Sequence, residues 1–195
     1  MPRLEIVLSN QIFIPKAPLP PALRNQILQL AAFQNPEFRK AQAMRLPVFD
    51  KPRIIACAEE HPEHIALPRG CLEECKTLLR RHKARYRTKD LRNEGNPLAV
   101  EFTGSLRPEQ LSAARTLIAH DTGVLSATTA FGKTVLAAWM IARRGCNVLI
   151  LVHRKQLMEQ WAERLAEFLD IPEKSIGRLG GGRRKLRGQI DIALI

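Results

Sequence analysis

Ten residues, Ser126-Ala-Thr-Thr-Ala-Phe-Gly-Lys-Thr-Val135, restrict this chain more than any other stretch. A short apolar run, Gly123-Val-Leu-Ser126, leads in, and an apolar helical pattern from Val135 to Arg143 leads out. Gly132-Lys133-Thr134 then stands at a strand-to-helix junction, where a phosphate-binding loop has to sit. Backbone N–H groups at a helix start can surround a triphosphate, and the helix dipole favours negative charge there. In that setting Lys133 reaches the terminal phosphates and the Thr134 hydroxyl ligates Mg²⁺. The general pattern has Gly six residues before the Lys, and here that position is Ala127. The plainer reading, a core strand and a helix joined by a polar turn, explains the apolar flanks but not the Gly-Lys-Thr between them.

A chain of 195 residues makes one or two domains and can bury a real core. No apolar run approaches the ~18 residues of a membrane span, and Met1-Pro-Arg-Leu-Glu5 is not a signal-peptide pattern. Four cysteines without framework spacing fit a reducing cytoplasm. Cys57, His61, Cys71 and Cys75 match no common zinc-ligand spacing, since Cys71 and Cys75 lie four apart on an expected helix. The net charge of +12 is spread over both halves of the chain. A polyanion partner follows, and nucleic acid is the commonest one.

In the first half, Leu4–Ile14 reads as two short strands around a turn. Leu23–Phe33 has a helical period, and Pro36–Arg45 reads as a second short helix. Arg53–Ala58 has the composition of a buried strand, and Ile65–Leu67 of another. Cys71–His82 reads as a helix. Lys76–Arg92 carries eight Lys or Arg against one acid, Asp90, and reads as a solvated basic face able to touch phosphates. Leu98–Phe102 reads as a strand.

A boundary is expected at Gly104, dividing 1–103 from 104–195. Beyond it strands and helices alternate, the sign of a parallel α/β sheet. Expected elements are a helix over Pro108–His120, a core strand over Val124–Ala127 and a helix over Lys133–Arg144. A buried strand over Asn147–Val152 follows, then a helix over Lys155–Leu169 with Leu157, Met158, Trp161, Leu165 and Phe168 inward. Ile176–Leu179 and Ile190–Ile195 complete the strands, with Gly180-Gly-Gly182 and a basic run, Arg183–Arg187, between them. A chain ending on an apolar strand leads us to expect a truncated sheet with an open apolar edge prone to self-association.

These residues resemble the first RecA-like domain of superfamily 2 helicases, in the branch of type III restriction Res subunits and DNA-repair translocases. The phosphate loop of that superfamily usually begins with Ala followed by x-Thr-Gly-x-Gly-Lys-Thr, and Ala127, Thr129, Gly132, Lys133 and Thr134 match it. Ala130 replaces a family Gly, which adds a Cβ where φ > 0 or close approach to phosphate is needed. The resemblance implies an ATP site built from Ala127, Thr129, Ala130, Phe131, Gly132, Lys133 and Thr134, with Mg²⁺ held on Thr134 through ATP. Leu106-Arg107-Pro-Glu-Gln110 is similar to the segment whose Gln reads the adenine edge, so Arg107 and Gln110 join that site. Val152-His-Arg-Lys-Gln-Leu157 resembles motif Ia, which touches the DNA backbone, implicating His153, Arg154 and Lys155. Gly181, Gly182, Arg183 and Arg184 resemble the motif Ib region.

Asn35-Pro-Glu-Phe38, Gln42-Ala-Met-Arg45, Pro52-Arg-Ile-Ile55 and Leu67-Pro-Arg-Gly-Cys71 are similar to the N-terminal region of helicases from bacterial TOTE conflict systems, which act on foreign nucleic acid. The implied fold is α/β: an incomplete RecA-like P-loop NTPase parallel sheet in 104–195, preceded by a small α+β accessory domain in 1–103 that binds DNA. The implied activity is that of an ATP-dependent DNA helicase or translocase, cytoplasmic, with ATP, Mg²⁺ and DNA as partners. RNA stays open as a partner, as do the further helicase domains and a fused primase or nuclease.

The chain has no Asp-Glu-x-His-type sequence, hence no acid of that motif to hold Mg²⁺ or orient water. Lys133 is the one catalytic residue of the set, and nucleotide binding without useful hydrolysis is expected of this stretch alone. Two other readings compete. A non-helicase P-loop protein such as a kinase would need an acceptor site and a lid, and residues 152–161 argue against it. A basic nucleic-acid-binding module with a vestigial phosphate loop is favoured by Ala130.

Overall fold

The computed structural model describes residues 3–195. Met1 and Pro2, part of the N-terminal stretch read above, lie outside the described residues. The chain forms two compact units that part between Asn93 and Glu94.

In the first unit, β1 (Leu4–Leu8) and β2 (Ile12–Pro15) form the expected hairpin, with Val7 opposite Phe13. Strict alternation buries Leu4, Ile6 and Leu8 and turns Glu5 and Val7 to the other face. α1 (Pro21–Leu30) starts with Pro at its first position, where the missing N–H costs nothing. It ends before β3 (Ala32–Gln34). The Asn35 side chain accepts the N–H of Glu37 at 2.9 Å and so caps α2 (Pro36–Ala43).

β4 (Ile54–Ala56) pairs only with β3 in a two-stranded sheet, leaving Ile54 57% exposed. That corrects the reading of a buried strand at Arg53–Ala58: an apolar composition buries nothing when no layer covers it. β5 (Glu59–Glu60) and β6 (His64–Leu67) continue the main sheet, and α3 (Leu72–Arg81) packs against α1. The basic stretch read as a solvated face contains a strand, β7 (Tyr86–Asp90), which runs parallel to β1 from Leu4↔Tyr86 to Leu8↔Asp90. Its residues after Tyr86 stay exposed while their backbone completes a ladder, so charge on the side chains hid the strand. The five-stranded order is β5-β6-β2-β1-β7.

Cys75 is fully buried, and burial pushes its thiol up to about 12. Cys71 is half-buried, also shifted upward by burial, and donates to Leu30 O at 3.8 Å. Thiols held protonated are poor metal ligands, and among the described residues no group of three His, Cys, Asp or Glu could hold a metal ion.

The second unit begins ten residues before the expected boundary at Gly104, because 94–103 pack onto it. Leu98 is buried with Ala138 and Ile141, its N–H bonds Gly145 O at 2.9 Å, and Thr103 N–H bonds Phe168 O at 2.9 Å. This segment is not the strand read at Leu98–Phe102; a single bridge, Pro97 to Cys146, is its only ladder contact among the described residues. α4 (Pro108–Ile118), α5 (Lys133–Arg144), β8 (Val148–Val152), α6 (Lys155–Leu169), β9 (Gly177–Gly180), β10 (Arg183–Lys185) and β11 (Ile190–Leu194) follow.

The sheet order is β10-β9-β11-β8. β11 is parallel to β8 and β9, and β10 turns back antiparallel on β9. Met158, Ala162, Leu165 and Leu169 of α6 pack against Ile190 and Ile192 of β11. No described helix is long and apolar enough to cross a membrane.

Val124–Ala127 is not the core strand expected before the loop. The segment is irregular, and Val124 is 93% exposed. Apolar residues make a strand only where a ladder partner exists, and none pairs with them among the described residues. β8 is the outer strand of its sheet, and Leu149 and Leu151 stand 59% and 56% exposed on the face away from α5 and α6.

An open edge with two exposed leucines favours association between copies. We therefore expect Leu149→Lys with Leu151→Lys to lower the average mass in sedimentation equilibrium while keeping the thermal midpoint within a few degrees. A wild-type chain that stays monomeric at high concentration contradicts this.

Candidate nucleotide site and nucleic-acid interface

The expected phosphate loop is built by two residues with positive φ. Ala130 has φ 63° and Gly132 has φ 86°. Gly132 is the N-cap of α5, and no side chain caps the start of that helix. A helix start left without a side-chain cap presents N–H groups and a positive dipole end to an anion. An Ala in the left-handed region costs about 1 kcal/mol, so something must hold the turn.

Two side chains from the start of α4 do so. Gln110 Nε2 donates to Phe131 O at 2.6 Å, and Arg107 Nη2 donates to the same carbonyl at 2.9 Å. Gln110 Oε1 in turn accepts the Arg107 N–H at 2.8 Å. Gln110 is 4% exposed, so its two bonds are sheltered from water and worth about 1–2 kcal/mol each, while the Arg107 side-chain bond is exposed and worth less. Arg107 is steadied by Glu109, Nε to Oε1 at 2.6 Å. The carboxyl of Glu109 is held below the usual range, first by its own backbone N–H and then by Arg107.

Lys133 is the first residue of α5, and its Nζ donates to Thr128 O at 2.7 Å, curling back over the loop. Thr134 follows, half-buried, while Ala127 and Phe131 are half-buried and Thr129 and Ala130 exposed. Beside the loop lies a cleft of about 550 Å³ lined by Thr103, Gly104, Ser105, Arg107, Gln110, Gly132, Val135 and Phe168. That size suits a nucleotide base and sugar.

Sequence reasoning found Arg107 and Gln110 but missed Thr103, Ser105 and Phe168. Helical period assigned Phe168 to the core, and it does stack on Phe102 at 6.2 Å. What brings it to the cleft is the tie of Thr103 to the last turn of α6.

The two basic groups read from sequence come together. His153 and Arg154 are exposed at the end of β8, and Arg154 is the N-cap of α6. Lys155 opens α6, and its side chain lies against the glycine hairpin: a Cβ on Gly181 would stand 3.3 Å from Lys155 Cγ and Cδ. Gly180, Gly181 and Gly182 have φ of 102°, 60° and 84°, a turn closed to residues with side chains except at a cost. It projects Arg183 and Arg184 at the same end of the sheet as Lys155, with Arg183 Nη2 3.3 Å from Glu159 Oε1.

Gly132→Ala adds a Cβ 2.5 Å from Gln110 Nε2 at a positive φ. We expect it to cost about 2 kcal/mol in urea unfolding. Tryptophan fluorescence reads this, since Trp139 and Trp161 both lie in the second unit. Ala130→Gly should change stability by less than about 0.5 kcal/mol, because relief of the left-handed Ala offsets the added freedom of the unfolded chain.

Residues 103–195 match the family described as type III restriction enzyme, res subunit. A DNA 3'-5' helicase XPB from Mycobacterium tuberculosis is 32% identical over 95 residues, 48% of this chain and 17% of that protein. A putative DNA 3'-5' helicase Rad25 from Halobacterium salinarum is 32% identical over 108 residues, 54% of this chain and 18% of that protein. The chain thus spans about a fifth of the length of these curated relatives. The UvsW helicase of bacteriophage T4 shares the fold, with a TM-score of 0.65 at 13% identity, over 98% of this chain and 74% of that one. From Thr103 to Ile195 this chain is thus similar to superfamily 2 helicases of the Res/XPB type, and its parallel sheet fits an incomplete RecA-like fold.

Proposed function

We propose that the chain is the N-terminal part of an ATP-dependent DNA helicase or translocase. It binds MgATP at the start of α5 and nucleic acid across the ends of β8 and β9. The observation that carries this reading is the loop itself: Gly132-Lys133-Thr134 opens a helix without a side-chain cap, next to a cleft bounded by Arg107 and Gln110. The donor set fits a triphosphate. The first-turn N–H groups and Lys133 Nζ would hold the phosphates once Lys133 leaves Thr128 O, and the Thr134 hydroxyl would ligate Mg²⁺ together with phosphate oxygens. ATP bound there supplies the free energy of a phosphoryl transfer, which the family couples to movement along DNA.

Around it, this chain's residues position and neutralise. Gln110 fixes Phe131 and keeps one N–H and one lone pair for an adenine edge. Arg107 and Phe168 border the base. His153, Arg154, Lys155, Gly181, Gly182, Arg183 and Arg184 form the strand-binding surface, where glycines permit backbone approach and cations neutralise phosphates. The first unit, residues 1–93, is an accessory domain in this reading and contributes further basic surface such as β7.

A second reading, a nucleic-acid-binding module with an inactive loop, is favoured by one observation, the left-handed Ala130. Calorimetric titration of the full 195-residue chain with MgATP, beside Lys133→Ala, separates the two. The helicase reading expects binding that weakens at least tenfold in the variant. A folded wild-type chain that binds no nucleotide leaves only the second reading.

A further inference from the structure

The edge of the second unit's sheet holds a pocket that the residues above do not explain. Lys174, Arg178, Arg183, Arg184, Lys185 and Arg187 border it, with Ile176, around about 350 Å³. Lys185 stands opposite Arg178 across the β9–β10 ladder, and Arg183 is two residues along the same strand. All three therefore project to one face.

Arg187 is fixed at the rim: its backbone N–H bonds Asp191 Oδ1 at 2.7 Å and its Nη2 bonds Lys174 O at 2.9 Å. Asp191 also takes the Gly188 N–H at 2.9 Å. Gly177 gives that carboxylate its room, since a Cβ there would lie 1.7 Å from Asp191 Oδ1.

Arg178 is the buried member, 8% exposed. Two carboxylates face it, Glu173 against Nη2 and Glu159 at 3.3 Å from Nε. Its Nε still lacks a hydrogen-bond partner, as does Glu159 Oε1. Six cations against three carboxylates, Glu159, Glu173 and Asp191, leave the pocket positive. Such a cluster costs energy by mutual repulsion, and a buried guanidinium donor left unmade costs more. A phosphate group answers both, because its oxygens accept the fixed fork of Arg and neutralise the surrounding charge.

We propose that this pocket holds a phosphate group of a nucleic-acid strand, gripped by Arg178, Lys185 and Arg187. It adds a contact beyond Arg183 and Arg184 along β10. The proposal rests on the nucleic-acid reading above.

The test is fluorescence anisotropy of a labelled single-stranded oligonucleotide on the full chain across a salt series. Wild type is compared with Lys185→Ala/Arg187→Ala and with Arg183→Ala/Arg184→Ala, and thermal melts confirm folding. The pocket variant should bind about fivefold more weakly or worse, equally for two unrelated sequences. Its log–log salt slope should shrink by about 0.7, one phosphate on a single strand.

An unchanged affinity and slope in the pocket variant, with both reduced in Arg183→Ala/Arg184→Ala, overturns the pocket and leaves the nucleic-acid reading standing. No binding by wild type removes both. Inorganic phosphate titrated at constant ionic strength separates the sources. A pocket variant that loses phosphate binding but keeps the oligonucleotide slope marks a site for a free anion and overturns the strand assignment. If the double variant fails to melt cooperatively, Lys185→Met alone carries the same readout.

Discussion

One carbonyl oxygen, that of Phe131, anchors the Gly132-Lys133-Thr134 end of the second unit. Gln110 and Arg107 both donate to it, and through it the start of α4 is joined to the start of α5. The sheltered bond from Gln110, about 1–2 kcal/mol, with the exposed one from Arg107 offsets the ~1 kcal/mol that a left-handed Ala130 costs. The loop can therefore keep its turn with alanine where its relatives by resemblance have glycine. With its bond to the Arg107 N–H, this contact spends half of the hydrogen-bonding capacity of Gln110. Any role in reading a base is added to a structural one.

Charge is organised around a second anchor, Glu159. It lies on α6 one turn after Lys155 and meets both Arg178 and Arg183. A single carboxylate thus ties the glycine hairpin to the helix whose start carries Lys155. Removing it would leave a buried guanidinium with less compensation, the costly half of a broken ion pair. The hairpin's three left-handed glycines and this one acid set where the basic edge of the sheet faces. The net charge of +12 says only that such an edge exists.

Legibility divides along local and non-local lines. The helices were readable, since their period, Pro starts and caps are local: α1, α2, α3, α4, α5 and α6 lie within a few residues of the stretches their patterns mark. Strands with alternating or wholly apolar runs and available partners, β1, β2, β6, β8 and β11, were readable too. The failures share one cause. Val124–Ala127 is apolar but has no ladder partner, Ile54–Ala56 is apolar but uncovered, and Tyr86–Asp90 is charged yet completes a ladder with β1. Pairing belongs to the tertiary structure and leaves no mark on the residues themselves.

The candidate sites divide in the same way. The amino-acid sequence by itself marked the Gly-Lys-Thr stretch, the basic clusters at 153–155 and 183–184, and the resemblance to Res/XPB-type helicases, because phosphate chemistry needs particular side chains in a short continuous pattern. Only the tertiary structure decided that Gln110 is buried against Phe131, that Phe168 and Thr103 border the cleft, and that Lys155 lies against Gly181. It alone gathered Lys174, Arg178, Lys185 and Arg187 around one pocket. Those juxtapositions join residues from separate elements, and the hydrogen bonds and packing that hold them act through space rather than along the chain.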